Sequence, residues 1–158
     1  MNKPDKAVEC FQQTFSCSQA VFAAFAPECG IDKETALKIA GAFGGGMARM
    51  GETCGAVTGA FMFIGLKYGK TKAEDEPAKE KTYQVVRGFV ERFKSRNGTI
   101  ICRELTGCDM SSPDGLQAFR EKNLLKTHCT KFVRDAAEIL EDLIRGENKM
   151  DIRNRRLL

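Results

Sequence analysis

A chain of 158 residues, 42% hydrophobic and 29% charged, predicts one domain able to bury a proper core. The net charge is only +4, with acidic and basic residues interspersed, which gives no case for nucleic acid or a membrane surface as partner. The longest apolar stretch, around residues 55–66, falls short of the ~20 residues a membrane-spanning helix needs, and the first ten residues lack a signal peptide's apolar run. The expectation is a cytoplasmic protein.

Lys3–Phe15 reads as a first helix, with Ala7, Phe11 and Phe15 on one face. Ser16 and Gln19 fit a capping box, which places Cys17 in the first turn of a second helix running through Phe25 to Pro27, with Cys29-Gly30 in the turn after it. Asp32 caps a third helix whose apolar face is Ala36, Ile39, Ala40 and Phe43. Gly44, Gly45 and Gly46 then break the helical pattern. They read as a hinge that delivers the next helix, and their free N–H groups could cradle an anion.

Thr53 is the expected N-cap of an apolar central helix, Cys54–Tyr68, stopped by Gly69. Gly51, Gly55 and Gly59 recur every fourth residue and leave one face nearly bare, first for a packed helix and second as the wall of a bound group. Lys70–Pro77 is a surface connection, and Pro77 opens a helix to about Asn97 with Val86, Phe89, Val90 and Phe93 as its stripe. Thr99 caps a short turn, Ile100–Leu105, carrying Cys102; Cys108 lies in the turn after it, and Ser112-Pro113-Asp114 starts another helix. Thr127 opens the last helix, with His128 and Cys129 in its first turn, Phe132, Val133, Ala136, Leu140 and Leu143 as its stripe, and Gly146 as its end. No strand-like alternation persists. The fold expected is all-α, a compact multi-helix bundle around the central Gly-rich helix, with residues 1–146 as one domain. Residues 147–158 form a basic tail, read as a solvated extension or an arm on the partner subunit of a homodimer.

Seven cysteines without an export signal favour metal ligation or redox work over structural disulfides, and an odd number cannot pair fully within one chain. No Cys-x-x-Cys occurs, which removes the thioredoxin-type motif and the common zinc-ribbon spacings, and a single histidine, His128, cannot build a Rieske site. Four cysteines, Cys17, Cys54, Cys102 and Cys129, fall in predicted first helical turns, where free N–H groups and the macrodipole favour thiolates. Cys54, between the glycine loop and a helix start, is the expected most reactive thiol. Cys10 is mid-helix, and neither it nor Cys29 nor Cys108 shares the helix-start position. His128 and Arg49 read first as solvated residues, Arg49 second as a counter-charge to thiolates.

The residues Phe15-Ser16-Cys17-Ser18-Gln19-Ala20-Val21, Gly44–Met47, Cys54-Gly55-Ala56-Val57-Thr58-Gly59-Ala60, Cys102–Gly107 and Cys129–Val133 resemble the C_GCAxxG_C_C family of redox-active proteins. The resemblance spans about residues 15–145 and implies a redox role for the same four cysteines. From the residues, an iron–sulfur cluster on four thiolates leads. A metal-free thiol–disulfide couple follows, then tetrahedral zinc without turnover. Gly44, Gly45, Gly46, Gly55 and Gly59 are the candidate cofactor-binding backbone, and the redox partner is left unnamed. No Ser-His-Asp arrangement, paired-carboxylate motif or dinucleotide fingerprint stands out.

Overall fold

Helix starts in this chain are set by side chains that satisfy the first free N–H groups, and the computed structural model, which describes residues 1–157, places most of them where that chemistry predicts. Eight α-helices follow in order: α1 (Lys3–Gln12), α2 (Cys17–Phe25), α3 (Lys33–Ala40), α4 (Gly55–Tyr68), α5 (Glu76–Asn97), α6 (Cys102–Thr106), α7 (Pro113–Glu121) and α8 (Thr130–Arg155). A 3₁₀ turn, Ala26–Cys29, and a π turn, Leu125–Cys129, complete the helical content. The described residues contain no strand, only an isolated antiparallel bridge between Thr53 and Ile101. The all-α expectation holds.

The capping box at α2 forms as read: Ser16 Oγ accepts from Gln19 N–H, and the Gln19 side chain accepts from Ser16 N–H. Gln19 Nε2 also donates to Leu37 O at 3.0 Å, and the fully buried Ser18 hydroxyl donates to Ala40 O at 2.9 Å, tying α2 to α3. Helix α4 is buried around nearly its whole circumference from Gly55 to Ala60, and α2 is its main neighbour. A Cβ on Gly59 would stand 2.7 Å from Ser18 O and 3.3 Å from Val21 Cβ, so bare glycine lets the two backbones touch. Phe25 and Phe63 pack their rings 5.3 Å apart, tilted by 46°, across this contact. On the other side of α4, Phe89 and Phe93 of α5 continue the aromatic core to Phe132 of α8. Arg96 of α5 bridges Asp135 and Glu138 of α8, and Lys131 also reaches the buried Asp135.

Several boundaries differ from the sequence reading, each for a tertiary reason. Helix α1 ends at Gln12, and Thr14 adopts a positive φ before the α2 cap. Ile39 is 49% exposed and Phe43 lies beyond α3, so the core face of that helix is only Ala36 and Ala40. Thr53 is held in the bridge to Ile101, so Cys54 becomes the N-cap of α4 and offers no side-chain cap. Gly51 therefore belongs to the preceding loop, not to the helix face. Thr99 accepts from Ile101 N–H but does not open α6, whose N-cap is Ile101.

The last helix also starts and ends elsewhere than expected. Asn123, at φ 53°, ends the α7 segment, and its carbonyl accepts from Lys126 and Thr127, so helical structure begins upstream of Thr127. At the far end α8 continues through Gly146, held by the ion pair between Lys81 of α5 and Glu147; glycine in a helix interior costs ~1 kcal/mol, less than such packing can supply. The expected tail is thus helical to Arg155, its residues from Asn148 to Leu157 exposed; Leu158 lies outside the described residues.

Candidate functional site

Cys17 is the first residue of α2, and the close crossing of α2 over α4 sets it against Cys54 and Gly55. A Cβ on Gly55 would stand 2.8 Å from Cys17 Sγ and 3.1 Å from Ser18 N. The groups that act on the Cys17 sulfur are the Cys54 thiol first, and then the backbone N–H groups of Gly45, Cys17 itself and Ser18. That set of donors, led by Cys54, outweighs burial and lowers Cys17 to about 6. Cys17 beside it, and then burial, drive the Cys54 pKa well above the ordinary thiol value. These donors favour negative charge on Cys17 over Cys54, the thiol that the helix-start argument expected to be most reactive. A helix start favours a thiolate, but the donors converge on Cys17.

The loop between α3 and α4 carries one of those donors in an unusual backbone. Gly45, Gly46, Met47, Ala48 and Arg49 all have positive φ, between 48° and 70°. Left-handed backbone costs roughly 1–2 kcal/mol at each non-glycine residue, and such runs persist only when their surroundings hold them. Here Arg49 N–H donates to Gly44 O, Gly51 N–H to Gly45 O and Glu52 N–H to Gly46 O. The end of the loop is pinned to the segment before α6: Cys54 N–H donates to Ile100 O at 2.7 Å, Cys102 N–H to Glu52 O at 2.6 Å and Arg103 N–H to Gly51 O at 3.2 Å. This short main-chain ladder brings Cys102 to the same place as Cys54. A Cβ on Gly46 would stand 2.6 Å from Cys102 Cβ, so the loop glycine makes room for that cysteine.

Cys102 is buried, and burial, followed by the negative charge of Cys17, pushes its thiol up to about 12. Cys129 arrives from the π turn at the head of α8, inside a continuous helical segment. Short π segments cluster at functional sites because they re-aim one side chain. Its thiol is likewise driven up, by burial first and then by Cys17 and Cys102. Each sulfur that would ionise after Cys17 is opposed by the charge already there.

All four cysteines line one cavity of about 760 Å³, as do Gly44 and Gly45. Gly46, Gly55 and Gly59 stand behind the sulfurs, in the packing just described. Cys10, Cys29 and Cys108 are elsewhere: Cys10 in α1 against the core, Cys29 at the end of the 3₁₀ turn, and Cys108 in a buried turn around Thr106. His128 is exposed and pairs its Nδ1 with Thr127 Oγ1 at 2.8 Å. The sequence reading did not find Arg120 and Asn123, which also line the cavity, because no motif marks them. Among the described residues no three His, Cys, Asp or Glu side chains gather closely enough to hold one metal ion.

An all-α bundle with four cysteines lining one cavity has the features of a cysteine-based redox protein. The family model described as "Putative redox-active protein (C_GCAxxG_C_C)" matches residues 15–143, and the chain belongs to that family. No curated protein and no solved structure was found to match it. No helix among the described residues is long and apolar enough to cross a membrane.

Proposed function

We propose that the protein works as a thiol–disulfide redox couple in which Cys17 is the attacking thiolate and Cys54 the resolving thiol. The pairing of Cys17 with Cys54 on one cavity, with backbone N–H groups of Gly45 and Ser18 beside Cys17, carries the reading. In it one sulfur of the pair is charged and the other protonated, the asymmetry by which a dithiol both attacks and resolves. Cys102 and Cys129, buried and protonated on the cavity wall, serve as a second pair or as a reserve of electrons. Mass spectrometry of protein equilibrated in thiol–disulfide buffers tests this. Cys17–Cys54 should be the first disulfide to appear, and a first disulfide that excludes Cys17 would overturn the reading.

One observation favours a second reading, in which Cys17, Cys54, Cys102 and Cys129 together hold an iron–sulfur cluster. All four line one cavity, and three of the four thiols resist ionising partly because of neighbouring sulfur charge, an opposition that bound iron would remove. Such a cluster would supply a one-electron couple, and the Cys17–Cys54 pair would have to part to admit it. A single tetrahedral zinc ion fits less well, since no three ligands gather for it. Iron, zinc and sulfide analysis with electron spin resonance on anaerobically purified protein decides among the three.

The same proposal places the protein in the cytoplasm as a homodimer serving a redox partner. Met150 and Ile152, 62% and 54% exposed on the last turns of α8, support the dimer. Light scattering that returns only a 17.5 kDa species would remove it.

A further inference from the structure

The sulfurs occupy only one wall of the cavity. Its volume of about 760 Å³ lies within the 300–1,000 Å³ typical of small-molecule pockets. Much of the remaining lining is apolar: Phe11 and Phe15 before α2, Leu116 and Phe119 of α7, and Phe132 of α8. Two charged side chains line it, Arg49 from the left-handed loop and Arg120 from the end of α7, and both residues are solvent-exposed. Neither arginine is in an ion pair among the described residues, and no carboxylate or lysine lines the cavity. The guanidinium groups thus have no ion-pair partner among the described residues, while the lining they share is rich in phenylalanine. Arg49 is also tied to the reactive sulfur, because its Cγ packs over Gly45, whose N–H is bonded to Cys17.

We infer that the cavity binds a small organic disulfide bearing carboxylates, with its apolar body on the phenylalanine wall, its carboxylates at Arg49 and Arg120, and its sulfur–sulfur bond presented to Cys17. This deepens the thiol–disulfide reading and rests on it. The Cys17 thiolate attacks one substrate sulfur, forming a mixed disulfide and releasing one substrate thiolate. Cys54 sulfur then attacks Cys17 Sγ, forming the Cys17–Cys54 disulfide and releasing the second half of the substrate. The Cys54 proton goes to one of the two released thiolates. Two electrons pass from the protein dithiol to the substrate, and both atoms and charge balance.

The test compares two aromatic disulfides on the reduced protein, dianionic 5,5′-dithiobis(2-nitrobenzoate) and uncharged 4,4′-dithiodipyridine. Each rate is divided by that of a free thiol such as N-acetylcysteine methyl ester, and the modified cysteine is identified by mass spectrometry in Cys54→Ala, where the mixed disulfide is trapped. The wild-type protein should prefer the anionic reagent. The normalised anionic-to-neutral ratio should fall about tenfold in Arg49→Gln/Arg120→Gln, the scale of losing two partly screened charge contacts. It should persist in Arg92→Gln, a charge change on the exposed face of α5. A wild-type ratio no higher than the free thiol's, or one unchanged in the double variant, would overturn the inference while leaving Cys17 reactive. Failure of the underlying thiol–disulfide reading gives a different result, with Cys17 unmodified by either reagent.

Discussion

Cys17 Sγ fills the space that a side chain on Gly55 would need, standing 2.8 Å from the position of its Cβ. Packing and chemistry are therefore the same contact: the glycine that lets α4 meet α2 also lets the reactive sulfur reach Cys54. Gly55→Leu should cost about 1–3 kcal/mol or more through overpacking, and it should displace Cys17 from its donors. Gly65, in the same helix with nothing within 4 Å of its Cβ, is the control; Gly65→Ala should gain roughly 0.5–1 kcal/mol. Urea denaturation of both variants measures the contrast, and equal stabilities would show that the α2–α4 crossing has slack.

The pH dependence follows from the donors around Cys17. Iodoacetamide modification of Cys17 should rise with a midpoint near 6, where an ordinary thiol rises near 9. Cys54→Ala removes the leading donor, so the midpoint should move upward. For stability the sign is that of a group whose folded pKa is depressed. Ionised Cys17 stabilises the fold fully above the unfolded value, and that contribution is lost as pH falls through about 6. The stability gap between wild type and Cys17→Ala should thus widen from pH 6 toward pH 9. A gap independent of pH would mean that the donor set does not act on a thiolate.

Replacement of single cysteines separates the two redox readings. If Cys17, Cys54, Cys102 and Cys129 hold a cluster, a Ser at any one of them should empty the site of iron. If they work as thiol pairs, Cys102→Ser should leave the Cys17–Cys54 disulfide able to form. Cys10→Ala, Cys29→Ala and Cys108→Ala should retain either activity with modest packing losses, since none of the three lines the cavity. Iron analysis and disulfide mapping across the seven variants give the answer. Loss of the site in Cys108→Ala with retention in Cys54→Ser would overturn both readings.

The left-handed loop yields a stability prediction of opposite signs within one segment. Gly46→Ala should destabilise by about 1–3 kcal/mol, because its Cβ would stand 2.6 Å from Cys102 Cβ and its φ is +69°. Ala48→Gly should be neutral or stabilising by up to about 1 kcal/mol, since glycine adopts φ 48° without the steric cost alanine bears. Thermal unfolding of the two variants reads the signs directly. Destabilisation by Ala48→Gly equal to that of Gly46→Ala would mean that the loop's conformation is not strained.

Much of this molecule was legible along the chain because helix starts are local chemistry. The Ser16–Gln19 capping box, the Asp32 and Ser112 caps and the Gly98 stop each depend on residues within three or four positions, and all appear where those residues stand. The same local logic singled out Cys17, Cys54, Cys102 and Cys129 before any distance was known, although the helical segment around Cys129 begins earlier than its Thr127 cap reading implied. What depended on contacts between distant residues was decided by the tertiary structure. The bridge of Thr53 to Ile101 moved the α4 cap to Cys54, and the ladder beside it brought Cys102 in from nearly fifty residues away. The lowering of the Cys17 thiol to about 6 arises because the Cys54 thiol, and then N–H groups from α2 and from the Gly45 loop, meet at one sulfur. Arg120 joined the cavity only when α7 packed over it. Local sequence sets which backbone groups are left free at a helix end; the packing of separate elements sets which atom they face.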